Sequence, residues 1–379
     1  WEFHMADTAH TELSTTYAPS RVLRASAPAA GLLLIAVALG AGTAPVWALL
    51  VGACAAGLVT APVGASMRAL WPHLTADPGL RQRAYSFEAT LSELLFVLGP
   101  TVVTLFGALA GAGSALLVTA VLLGAGGLGY GQAPAVRRRP GAARRPAGPV
   151  RGTADAEQRG GPARAAALSV LVAIALTAAL SSALAIAVTA TLQDQGSPAA
   201  FAGTLVAVQS VGSVIGGLLY GARTWGGPTY RRYLRLLVVL TVALALLPSV
   251  RPAQNAGADE TWTMLLLGGL LLLSGLPIAP AGAEEFQLIG DMTDQEKATQ
   301  AFAGVGSFIA IGGATGSAVG GLVAENLGAT AALSLPAAFT LAALLVSLAA
   351  RGPILAAVAA AGRTPPRPHP TPEHGEQRV

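Results

Sequence analysis

Charge is what this sequence has least of. Only 11% of its 379 residues are Asp, Glu, Lys or Arg, against 53% hydrophobic. Soluble domains carry about 25% charged residues, so an ordinary water-facing surface is excluded. Lysine is almost missing: Lys297 stands alone among 23 basic residues, and the rest are arginine. With 46 Gly and 25 Pro, that bias reads as a GC-rich coding sequence of the actinobacterial kind, which speaks of source and not of function. Cys54 is the single cysteine, so neither a disulfide framework nor a cysteine-rich metal site can form. The histidines (His4, His10, His73, His369 and His374) fall outside the apolar runs and share no metal-ligand spacing. No G-x-x-x-x-G-K-[ST] loop leads into Lys297, which argues against ATP coupling within the chain. Enzymatic chemistry, a metal and a cofactor are therefore not expected. Strand-like alternation is also lacking, which argues against a membrane barrel.

What the chain has in plenty is long apolar runs. Ten of them, 25–41, 46–66, 87–110, 113–131, 165–191, 200–221, 233–250, 262–282, 299–323 and 329–350, suit a hydrocarbon layer of ~30 Å crossed at ~1.5 Å per residue. The expected fold class is all-α, a polytopic membrane protein of about ten transmembrane helices. Arginines gather in alternate loops: Arg21 and Arg24, then Arg68, Arg81 and Arg83, then a dense group in 132–164. Arg223, Arg231, Arg232 and Arg235 follow the sixth run, and Arg351, Arg363 and Arg367 the tenth. The positive-inside rule places these loops and both termini in the cytoplasm of a bacterial inner membrane. The pI of about 9.6 reports that orientation and the lipid bilayer as partner, with no nucleic acid implied. The acidic 284–297 stretch falls inside by the same alternation, as a loop.

Domain organisation follows. Residues 1–20 read as a tag remnant (Trp1 to His4, ahead of Met5) and a polar tail. A four-span bundle covers 21–131, and a Gly/Pro/Ala/Arg-rich stretch without periodicity, 132–164, reads as a flexible cytoplasmic linker. A six-span bundle covers 165–350. The proline-rich 351–379 segment reads as a disordered tail.

An internal repeat ties the two bundles together. A shift of 218 positions brings Gly57, Pro62 and Gly64 onto Gly275, Pro280 and Gly282. A shift of 217 brings Ala84-Tyr85 onto Ala301-Phe302, Gly99 onto Gly316 and Gly111 onto Gly328. Pro19-Ser20-Arg21 precedes its span as Pro228-Thr229 with Arg231 precedes the seventh. The second half has two further spans before that point, so six helices in one copy and four in the other is the simplest expectation.

Paired bundles around a central path are a secondary-transporter architecture. The run from Pro62 through Arg68 and Trp71 to Pro72, followed by Arg81 to Glu88 and Glu93 to Gly99-Pro100, resembles drug-efflux-type members of the major facilitator superfamily. There it would form helices four and five. The resemblance implies alternating access, a small-molecule substrate and proton coupling. Gly217 to Arg232 is similar to the family's loop signature after helix eight, with Gly221 where an Asp would stand. Helices one and two, which line the path in that family, have no counterpart here.

Carboxylates inside spans cost ~2.5–3.5 kcal/mol each at a helix centre, so they normally have a task. Glu93 is the leading candidate for proton or substrate handling, against a structural pairing with Arg68 or a hydroxyl, and Glu88 sits nearer the interface. Gly99-Pro100 resembles the centre of the family's antiporter motif and suits a hinge or a packing kink. Gly312, Gly316 and Gly320 form a small-xxx-small ladder, read as close packing. Gln209 could bond substrate or glue helices. Gly217, Arg223, Arg231 and Arg232 form the cytoplasmic loop motif, read as anchoring or as a gating salt bridge. The leading functional reading is proton-coupled efflux of small apolar or amphipathic molecules. A truncated or non-transporting scaffold and a nutrient importer stand as alternatives; the few polar span residues (Thr177, Ser181, Ser182, Gln209) weigh against the importer.

Overall fold

The computed structural model describes residues 19–40, 45–59, 63–75, 77–137, 153–196, 200–251, 259–293 and 298–362. Among them there is no strand. The first half comprises α1 (Pro19–Gly40), α2 (Val46–Val59), α3 (Val63–Arg68), α4 (Trp71–Leu74), α5 (Pro78–Ala110), α6 (Ala112–Gln132) and the short α7 (Pro134–Arg137). The second comprises α8 (Thr153–Asp194), α9 (Ala200–Gly221), α10 (Thr229–Ala245), α11 (Glu260–Gly275), α12 (Ile278–Met292), α13 (Ala298–Leu327), α14 (Ala329–Ala349) and α15 (Arg351–Gly362). The described parts of all ten expected spans coincide with helices, and seven described segments are long and apolar enough to cross a bilayer.

The repeat is visible in the backbone. Gly111 opens α6 at φ 82° and Gly328 opens α14 at φ 84°, with ψ of 167° and 171°. An L side chain rarely adopts this conformation, so glycine is needed at both corners. The residues that the 217-position shift superimposes therefore make the same turn.

Three expectations need correction. The acidic 284–297 stretch is not a loop, because Glu284, Glu285 and Asp291 lie on α12, with Glu284 fully buried. Each finds a polar partner inside the fold, so their charge count does not expel them; Asp294 and Glu296 lie outside the described residues. The tail is not wholly unstructured, since 351–362 forms α15, where Ile354 and Ala357 bury against α8 and α12. The linker is shorter than 132–164, because α7 occupies 134–137 and α8 begins at Thr153. Alanine-rich sequence supplies the helix propensity in both places.

Packing differs from seam to seam. A Cβ added at Gly312 or Gly316 would lie 2.0 or 2.1 Å from the carbonyl oxygens of Ala175 and Ala179, so α13 lies directly against the backbone of α8. Gly320 continues that seam beside Ala183. Between α9 and α11, Gly212 and Gly216 face the Leu272 and Leu276 carbonyls in the same way. The two halves join where α5 packs on α9 and α12 and where α3 packs on α13.

Candidate functional site

The polar contacts that join the halves among the described residues all lie at the arginine-rich end. The Ser86 hydroxyl donates to the Gly217 carbonyl over 2.9 Å, buried at both sides. The Trp225 amide donates to Gln82 Oε1 at 3.3 Å. Arg81 faces Asp291 at 3.9 Å. The Arg68 guanidinium sits 4.1 Å from the centroid of the Phe286 ring, and Tyr85 meets Phe302 with centroids 6.3 Å apart. Arg68 and Phe286 stand 218 positions apart, and Tyr85 and Phe302 stand 217 apart. Both pairs are repeat-equivalent residues, so the pseudo-twofold axis passes through this seam.

Glycine sets how closely the seam closes. A Cβ at Gly217 would fall 2.0 Å from Thr90 Oγ1, and one at Gly221 would fall 3.0 Å from Ser86 Oγ. An Asp at 221, as the loop signature would have it, finds its space already taken by α5.

Glu88 belongs to this seam and is buried. Its Oε1 lies 2.8 Å from Arg68 Nε, and its Oε2 accepts from Trp71 Nε1 at 3.2 Å. Arg68 is thus the partner of Glu88 and not of Glu93. Glu93 is half-buried one turn further along α5, and no hydrogen bond or ion pair joins it to another described residue.

A second polar centre lies inside the second half. Arg232 Nε donates to Glu284 Oε1 at 3.0 Å, and the Tyr220 hydroxyl donates to the same oxygen. Arg232 Nη1 also donates to the carbonyls of Trp225 and Gly227 at 3.1 and 2.7 Å, so this arginine organises the 222–228 turn. Trp225 stacks on Tyr220 at 5.0 Å. Glu285, the next residue of α12, takes only hydroxyls: Thr177 of α8 at 3.0 Å and Tyr233 of α10 at 3.2 Å.

Of the remaining candidates, Arg223 and Arg231 are exposed, with Arg223 5.9 Å from the Trp225 ring. Gln209 is buried in the α9–α11 seam, where its backbone carbonyl faces Gly275 and its Nε2 bonds no other described residue. Gly99 is exposed, and α5 stays helical through Gly99-Pro100. Sequence reasoning missed Glu284, Glu285, Tyr220 and Tyr233. The signal that could have found the acids is an acidic pair one turn after Pro280 in a span-length apolar helix.

At the far end of α8 and α13 opens a cavity of about 460 Å³, bordered by Thr189, Gln193, Asp194 and Glu325. Asp194 is held there by Arg251. Among the described residues no group of three or more His, Cys, Asp or Glu converges on a metal-sized site.

No protein-family model matches the chain, and no curated sequence does. Solved structures do. The human organic anion transporter MFSD10 (TETRAN) superimposes with a TM-score of 0.60 at 18% identity, over 86% of this chain and 81% of that one. A bacterial homologue of the iron transporter ferroportin, in its outward-facing state, superimposes with a TM-score of 0.63 at 16% identity, over 89% and 84%. At these identities the likeness shows the fold: a multi-pass helical membrane protein of major facilitator architecture.

Proposed function

We propose that the chain is a secondary active transporter of the bacterial inner membrane that exports small apolar or amphipathic molecules by alternating access with proton antiport. The observation that carries this reading is the seam between the halves, where repeat-equivalent residues meet. Repeat-equivalent residues lock the halves at the arginine-rich end, which the positive-inside rule assigns to the cytoplasm. At the opposite end a cavity of about 460 Å³ lies within the second half, between α8 and α13, and beside Arg81 and Asp291 the seam itself holds one of about 310 Å³. In this reading Arg68, Tyr85, Ser86, Gly217, Phe286 and Phe302 form an inner gate that must part during transport.

Polar span residues are few: Thr177 serves Glu285, and Gln209 is buried with its Nε2 bonded to no other described residue, which leaves little to recognise a hydrophilic solute. Glu93, which bonds no other described residue, is the carboxylate we assign to the substrate path. The test uses protein in liposomes loaded with a pH-sensitive dye, with ethidium as the amphipathic probe. Ethidium movement drives counterflow of protons in the wild type, and Glu93→Gln loses it. Ethidium movement without proton flux, or no ethidium movement at all, contradicts the proposal.

A further inference from the structure

Two adjacent carboxylates of α12 are treated in opposite ways. Glu284 is answered by a cation, Arg232, at 3.0 Å. Glu285 is answered by the Thr177 and Tyr233 hydroxyls alone. No charged group of a neighbouring element acts on it. Arg232 is occupied by Glu284, Arg81 of α5 faces Asp291, and Arg68 of α3 lies over Phe286 with Glu88 beside it. From α10 it meets Tyr233, with Tyr230 turned instead to the Ser347 carbonyl; Tyr220 of α9 serves Glu284. Arg351, at the head of α15, acts on Tyr230.

An ionised carboxylate without a cation in an apolar interior is heavily penalised, and two hydroxyl hydrogen bonds do not offset the lost hydration. A neutral carboxylic acid in the same place is readily accommodated. We infer that Glu285 holds a proton while the inner gate is closed and is a proton-carrying site of the transport cycle, separate from Glu93. The inference rests on the transporter reading for its role in the cycle, though not for the proton itself.

The coupling to the gate is structural. Phe286, the next residue, lies under the Arg68 guanidinium of the other half. Both hydroxyls contact Oε1, which leaves Oε2 for the proton. Glu285, like Glu284, is buried. Parting of the halves at Phe286 frees α12 to move against α8 and α10, which hold Glu285, and admits water from the arginine-rich side. The acid then releases its proton to that side, and binds one again before the seam recloses.

The test needs no substrate in its first arm. Infrared spectra of the protein in liposomes at neutral pH show the carbonyl stretch of a protonated carboxylic acid, which Glu285→Gln abolishes and Glu93→Gln retains. Thr177→Val shifts that band to higher frequency by removing a hydroxyl contact, which keeps the assignment testable if Glu285→Gln folds poorly. In Ser86→Cys/Gly221→Cys protein on a Cys54→Ala background, the oxidised, gate-locked form keeps the band in alkaline buffer, and reduction lets it bleach. In the second arm, ethidium-driven proton movement is reduced in Glu285→Gln. No band, a band that survives both Glu285→Gln and Thr177→Val unchanged, or equal bleaching of locked and reduced protein overturns the inference. If the band behaves as expected and wild-type protein moves no protons, the transporter reading fails and the buried acid stands.

Discussion

The two halves bury charge differently. In the second half the buried charges are answered within the half: Arg232 by Glu284, and Glu285 by hydroxyls from α8 and α10. In the first half, Glu88 and Arg68 pair at the boundary, under a ring of the opposite half. Close glycine contacts run inside both halves but are tighter in the second. Gly212, Gly216, Gly275, Gly312 and Gly316 press on backbone of the second half, and Gly31 faces the Ala120 carbonyl at 3.0 Å within the first, whereas Gly57, Gly99, Gly124, Gly126 and Gly129 have nothing within 4 Å of an added Cβ. The first half meets the second through α3 and α5.

Several substitutions can break or sharpen that comparison. The largest expected effect is from Arg232→Ala, which strands Glu284 in the core and costs on the order of 3–5 kcal/mol, read as a lowered melting temperature in detergent. Next, Gly316→Leu forces a side chain into the Ala179 carbonyl and costs about 1–3 kcal/mol or more. Gly126→Leu, where an added Cβ meets open space, leaves melting unchanged, and equal losses from the two would erase the distinction between the two sites. Arg68→Ala leaves Glu88 with Trp71 alone and costs about 1–3 kcal/mol. Its clearer signature is faster maleimide labelling of Gly221→Cys on a Cys54→Ala background, because the gate opens more often. Ser86→Ala removes one buried hydrogen bond, about 0.5–1.5 kcal/mol, and shows the same labelling trend more weakly.

Span positions and the repeat were legible in the sequence because each rests on local physics. Apolar length marks a helix that can cross, and Gly111 and Gly328 mark corners that only glycine turns easily. The glycine ladder of α13 was legible for the same reason. The acids of α12 were not, because a charge count cannot see Arg232, Tyr220, Thr177 and Tyr233 arriving from three other helices to receive them. Nor could the contact of Arg68 with Phe286 be read directly. The repeat shift contains it, yet only the fold says that equivalent residues meet at the axis. The α15 helix was hidden by the prolines that follow it, although Ile354 and Ala357 are spaced to bury one face.

The most direct test of the account is a reversible lock on the seam. An ideal Cβ at Gly221 lies 3.3 Å from Ser86 Cβ, close to the ~3.5–4.5 Å that a disulfide spans. In Ser86→Cys/Gly221→Cys protein lacking Cys54, oxidation forms an intramolecular bond that stops ethidium efflux from liposomes, and reduction restores it. Efflux that continues at the wild-type rate with the disulfide fully formed contradicts a mechanism in which these halves must part at this end.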